Sequence, residues 1–280
     1  ACSVKEYYQT MSSGRLAYTN EVVGPITLPK NKTHYIQNPL MEDALARAVD
    51  EYNLDLSRFD CTGRGVVDAI NFLYAGETLY EGWLWPHNYE MDMTFDGIQT
   101  HFYTIQSMGR QPVDMKIGTF CHEAGHLICR FPDLYDYGNR DGDSDPSSGL
   151  GAYCLMASGS HLDSGRTPAP ISAYLRNLAG WTRQVHLLND GGEFRAEHGN
   201  YDALYKYQLP DRPNEYFLVE NRSRIGLDNH CTSEGLAVYH CDILGSNEWQ
   251  GGTADNHYQC ALIQADDHAS AREAAEHFCP

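Results

Sequence analysis

The chain has 280 residues, 42% of them apolar and 21% charged, which suits one large or two smaller globular domains and excludes a largely disordered protein. Its 20 basic and 38 acidic residues leave a net charge of −18. Such a field repels phosphate backbones and attracts divalent cations, so nucleic acid is set aside as a partner. No stretch of eighteen apolar residues occurs, so no membrane-spanning helix is predicted.

The opening residues, Ala1-Cys2-Ser3-Val4-Lys5-Glu6, lack the basic and apolar regions of a signal peptide, so an exported protein would stand here in mature or trimmed form. Nine cysteines (Cys2, Cys61, Cys121, Cys129, Cys154, Cys231, Cys241, Cys260, Cys279) are spread along the chain rather than set in C-x-x-C pairs. That pattern fits disulfides in an oxidising, secreted setting better than a structural zinc site. The odd count leaves one thiol over.

In chain order, Ser3 to Met11 reads as a short helix stopped by Ser12-Ser13-Gly14, and residues 21–28 as a strand with a turn inside it. Leu40 to Tyr52 places Leu40, Met41, Leu45, Ala48 and Val49 at helical spacing. Val66 to Tyr74 and Gly97 to Ser107 read as strands, Asp114 to Cys129 as a helix, and Phe131 to Gly151 as a long Asp/Gly/Pro/Ser loop. A loop of that length in a compact domain is usually functional or held by an ion. Ala169 to Leu178 is predicted helical, ended by Gly180. Beyond Trp181 four segments read as strands, at 204–209, 215–220, 235–240 and 260–264. The fold class read from this order is α+β, with a first part over 1–184 and a β-rich part over 185–280.

His122-Glu123-Ala124-Gly125-His126 is an H-E-x-x-H motif on the predicted helix. Residues four apart on a helix are about 40° apart and about 6 Å along the axis, so both imidazoles leave one face and can meet one zinc ion. Glu123 is placed to reach a water at the ion rather than the ion itself. Zinc lowers such a water's pKa towards about 7, and the carboxylate can take its proton as the water attacks a carbonyl. The plainer reading is a pair of surface histidines on an acidic helix. Ile117, Phe120, Cys121, Leu127 and Ile128 argue against it, because a largely apolar helix carries His-Glu-His at a cost unless they are paired or metal-bound. A third ligand is needed. Pro132 would turn the chain back and bring Asp133 to the metal, with Asp136 the competing acid.

Residues 119–137, Thr-Phe-Cys-His-Glu-Ala-Gly-His-Leu-Ile-Cys-Arg-Phe-Pro-Asp-Leu-Tyr-Asp-Tyr, resemble the active-site segment of the immune-inhibitor-A-type secreted bacterial zinc metallopeptidases. Gly151 to Ser160 is similar to that family's methionine turn, and Thr167 to Trp181 to the helix after it. Further likeness lies in Ser3 to Asn31, Val67 to Ile70, Trp83 to His87, Glu215 to Arg222 and Gly235 to Asp242. The resemblance implies a metzincin-like catalytic domain and a zinc endopeptidase acting on extracellular proteins. It further implies His122, His126 and Asp133 as zinc ligands, Glu123 as general base and then general acid, and Met156 as an apolar floor. Two departures stand out. The family has a glycine three residues after the second histidine, where this chain has Cys129, and its Asp comes three residues after that glycine, whereas Asp133 is one residue later. A one-residue insertion accounts for this, and a Cys129–Cys154 disulfide could replace the glycine in fixing the turn.

Other candidates are weaker. Asp141, Asp143 and Asp145 crowd three carboxylates that calcium would relieve, although a solvated acidic loop would look the same. In Asp60 to Asp68, Arg64 stands where a calcium ligand would be, which predicts a loop without an ion. His87, Tyr153 and His161 could hold substrate or oxyanion, and His240 with Asp242 could bind an ion; packing roles are the plainer account of each. Asn31-Lys32-Thr33 and Asn221-Arg222-Ser223 are glycosylation sequons. Two rival functions fit the same residues. One is a non-catalytic extracellular binding module stapled by a metal, and the other a zinc hydrolase of a non-peptide amide or ester.

Overall fold

The computed structural model describes residues 3–263; Cys2, Cys279 and the end of the last predicted strand at Gln264 lie outside them. The helices in chain order are α1 (Val4–Met11), α2 (Lys32–Gln37), α3 (Met41–Tyr52), α4 (Ile117–Cys129), the single turn α5 (Leu162–Gly165) and α6 (Ala173–Leu178). The strands are β1 (Ile70–Tyr74), β2 (His87–Glu90), β3 (Thr94–Phe95), β4 (Ile98–Gln99), β5 (Phe102–Ser107), β6 (Gln184–Leu187), β7 (Ala203–Gln208), β8 (Glu215–Arg222), β9 (Gly235–Asp242) and β10 (Cys260–Leu262). They form two compact units, one of residues 19–130 and one joining the residues up to Tyr18 to those from Phe131 onward.

In the 19–130 unit, β5 is the middle of a three-stranded sheet, parallel to β1 and antiparallel to β2. α3 keeps Met41, Ala44, Leu45 and Ala48 buried at helical spacing. Met41, Ala44 and Leu45 join Tyr35, Leu56, Leu84, Tyr103 and Ile105 in one apolar core. α4 packs on β5 and β2 of the same sheet, so the H-E-x-x-H helix is held by the unit's most buried strand.

The other unit is built on a five-stranded sheet in the order β10-β9-β8-β7-β6, antiparallel except for β6 with β7. Along β8, Tyr216, Leu218, Glu220 and Arg222 are buried in alternation, as period-2 geometry requires. α6 packs on β8. α1 is started by a capping box in which Ser3 and Glu6 exchange bonds, and its Tyr7 hydroxyl donates to the Ala169 carbonyl at 2.6 Å.

Several boundaries moved for local reasons. Residues 21–28 form no strand. The segment 97–107 is split into β4 and β5, because the Thr100 hydroxyl turns back to the Met91 carbonyl at 2.6 Å. α4 begins at Ile117 because Pro112–Asp114 make a separate 3-10 turn, and α6 begins at Ala173, where the Ser172 hydroxyl caps the Leu175 N–H. α2 and β6 were not predicted. α2 is a polar six-residue helix with little periodicity, nucleated by the Asn31 side chain bonding the His34 N–H at 3.0 Å.

Candidate functional site

One turn of α4 brings His122 and His126 together. Their Nε2 atoms are 3.2 Å apart and their rings meet edge to face with centroids 4.8 Å apart. Two nitrogens on one tetrahedral zinc at about 2.0–2.1 Å would be separated by about 3.3 Å, so the pair has the spacing the ion asks for. Glu123 is buried, and the hydrogen bond it accepts from Asn88 Nδ2 is long, at 3.4 Å. The two imidazoles therefore fit zinc as donors from one face, with buried Glu123 one residue along the helix and off the ion itself. Asn88 was not foreseen. It adjoins His87 in sequence but carries no spacing signal, and only the β2–β5 pairing sets it against α4.

The helix stops at Arg130, which adopts the left-handed conformation (φ 56°) and whose N–H bonds the Gly125 and His126 carbonyls. Glycine usually fills such a position, and a side chain there costs about 1 kcal/mol. The Arg130 guanidinium lies 3.7 Å from the Phe102 ring centroid, which offsets part of that cost. The left-handed turn thus falls at Arg130, one residue beyond Cys129. The proposed Cys129–Cys154 disulfide is not formed. Both residues are thiols, and burial pushes the Cys129 thiol up to about 12. The turn is made by backbone conformation instead.

In the other unit, Asp133 is buried, its N–H donates to Glu248 Oε1 at 2.9 Å, and its Oδ2 accepts from the Tyr137 hydroxyl. Burial, and then the Asp133 charge, raise the Tyr137 phenol above its ordinary value, so it stays a donor. Glu248 is itself held by Arg140. Met156 is fully buried, and its carbonyl accepts the Leu134 N–H at 2.7 Å, tying the methionine turn to the residue after Asp133. Gly149 (φ 55°) lies so close to Leu134 that a Cβ would sit 1.8 Å from its carbonyl oxygen, so only glycine lets the long loop fold back here. Asp136 is committed elsewhere, accepting from the Gly138 N–H at 2.7 Å and the Tyr258 hydroxyl at 3.1 Å.

The acidic loop gathers Asp141 and Asp143 with Asp136, their carboxylate oxygens within 4.8 Å of one another; Asp145 is not in that group. In the Asp60 loop the carboxylate accepts from the Arg64 and Gly65 N–H groups at 3.1 and 2.6 Å. His87 is fixed by the Trp85 carbonyl and the Tyr103 hydroxyl, and Tyr153 by Ser233 and Thr232. His161 is exposed. His240, His257 and Glu215 also converge, but Glu215 already answers Arg212 and His240 while Asp242 takes His257 at 2.9 Å, which reads as an ion-pair network.

No helix among the described residues is long and apolar enough to cross a membrane. No curated protein matches the chain. Residues 79–193, which span α4 and the loop after it, match the family model described as immune inhibitor A peptidase M6, catalytic domain.

Proposed function

Taking as premise that residues 79–193 belong to the immune inhibitor A peptidase family, and so to a peptidase, we propose that the chain is a secreted zinc endopeptidase acting on extracellular proteins. The observation that carries this reading is the His122–His126 pair at zinc spacing with buried Glu123 beside it. Asp133 is proposed as the third ligand. It follows the helix within four residues, whereas Asp136 gathers with Asp141 and Asp143. Zinc held by these residues would supply Lewis acidity, polarising a peptide carbonyl and making water acidic near neutral pH.

The chain's own residues do the rest. Glu123 takes the proton from the attacking water and returns it to the leaving amine, and its burial keeps that transfer out of bulk solvent. Asn88 Nδ2 orients the Glu123 carboxylate. Glu248 and Tyr137 hold Asp133 from its N–H and its Oδ2. Calcium is proposed for Asp136, Asp141 and Asp143, where it would fix the loop after Asp133. Casein cleavage with and without a zinc chelator tests the reading. Activity should vanish on chelation and return with zinc, and cleavage that persists through complete metal removal would refute it.

A further inference from the structure

Cys241 on β9 and Cys260 on β10 face each other across an antiparallel pair. The Asp242 N–H donates to the Gln259 carbonyl and the Ile263 N–H to the Val238 carbonyl, so Cys241 and Cys260 occupy a non-hydrogen-bonded position of the ladder. There the strands come closest, with Cα atoms about 4.5 Å apart, inside the range a disulfide accepts. The two sulfurs lie 4.0 Å apart, and neither residue is exposed.

We propose that Cys241 and Cys260 are an oxidisable pair that forms a cross-strand disulfide. The oxidant is a small-molecule disulfide such as oxidised glutathione. One cysteine thiolate attacks it, forming a mixed disulfide and releasing one glutathione thiol. The second cysteine gives up its proton and attacks the protein sulfur of that mixed disulfide, so the S–S bond forms as the second glutathione thiol leaves. Two protein thiols are oxidised by two electrons, and one glutathione disulfide is reduced to two thiols. Burial raises the Cys260 thiol well above its ordinary value, so the exchange belongs to the open strand pair, before β10 docks. Once closed and buried, the bond is shielded from reductant.

The pair sits at the base of the segment between β9 and β10, which reaches the residues around the candidate site. Glu248 in it accepts the Asp133 N–H, and Tyr258 donates to Asp136. Asn247 pins Cys260 from both sides, accepting its N–H at 3.1 Å and donating to its carbonyl at 3.0 Å. β10 is an edge strand of three residues, so a covalent tie there fixes the far end of the segment that ordinary pairing holds least. An effect on hydrolysis rests on the zinc-peptidase reading above; the bond itself does not.

The test is peptide mapping of the full chain, denatured and alkylated without reductant, then cut with chymotrypsin at Trp249 and Tyr258 between the two cysteines. A linked Cys241–Cys260 peptide is expected. Alkylation of both, or a Cys154–Cys260 link, would overturn the proposal. Thermal melts supply a second measurement. Reductant added under unfolding conditions should lower the wild-type Tm by about 5–10 °C more than that of the Cys241→Ala, Cys260→Ala double variant; an equal response in both would also overturn it.

Discussion

Two buried polar clusters in this molecule have opposite chemistry. Around β8, Arg176 pairs with Glu220 at 2.7 Å, and Arg222 grips Asp228 through Nε at 3.0 Å to each oxygen. The Arg222 Nη1 donates to the Tyr153 carbonyl at 2.7 Å, and the Tyr239 hydroxyl to Glu220 at 3.1 Å. Two guanidinium and two carboxylate groups cancel within the protein. On α4, two half-buried imidazoles share one face, with the buried Glu123 carboxylate one residue along the helix, a set that a divalent ion would suit. A cluster neutralised from within serves the fold, whereas one that a divalent ion would complete is suited to chemistry.

That contrast can be broken first at Glu123. Glu123→Gln should keep the zinc content and lower casein hydrolysis about 10²–10⁴-fold, because it removes the proton carrier and leaves both imidazoles. An unchanged rate would assign Glu123 to structure, like Glu220. Asp228→Asn should do the reverse, costing about 3–5 kcal/mol of stability in chemical denaturation by leaving Arg222 buried against a neutral side chain. Loss of less than 1 kcal/mol would show that the network is not a closed one.

Smaller effects sharpen the comparison. Glu248→Gln weakens the hold on the Asp133 N–H, and zinc affinity should fall about 10–100-fold in competition with a chelator, with the fold intact. Acid titration separates the clusters again. Burial alone would raise the Glu220 carboxyl, but Arg176 and Arg222 outweigh it and hold it below the ordinary carboxylate value. Its contribution to stability is therefore complete above that ordinary value, about 4.3, and lost as pH falls through the depressed folded-state value. Glu220→Gln should flatten the acid limb of unfolding followed by circular dichroism; an unaltered limb would show that this carboxyl does not link folding to pH.

Much of the α4 site was legible in the sequence because its spacing is local. H-E-x-x-H needs only a helix, and the helix needs only the apolar run from Ile117 to Ile128. The short helix read over Ser3 to Met11 was equally local, and in the structure a Ser3–Glu6 capping box starts it. What stayed hidden depends on pairs remote in the chain: Asn88 on Glu123, Glu248 on Asp133, Glu220 between Arg176 and Arg222. The Asp141-x-Asp143-x-Asp145 alternation carries no sign of which acid from elsewhere in the loop comes near it. Buried Asp136 joins the first two, and Asp145 lies outside the group. Left-handed Arg130 was equally hidden, since residue type gives little sign of that conformation outside glycine and asparagine.

Elemental analysis of the purified chain beside its His126→Ala variant asks whether the α4 imidazoles hold a zinc ion. One zinc per chain is expected in the first and none in the second. Equal zinc in both, or none in either after dialysis against zinc, would contradict it.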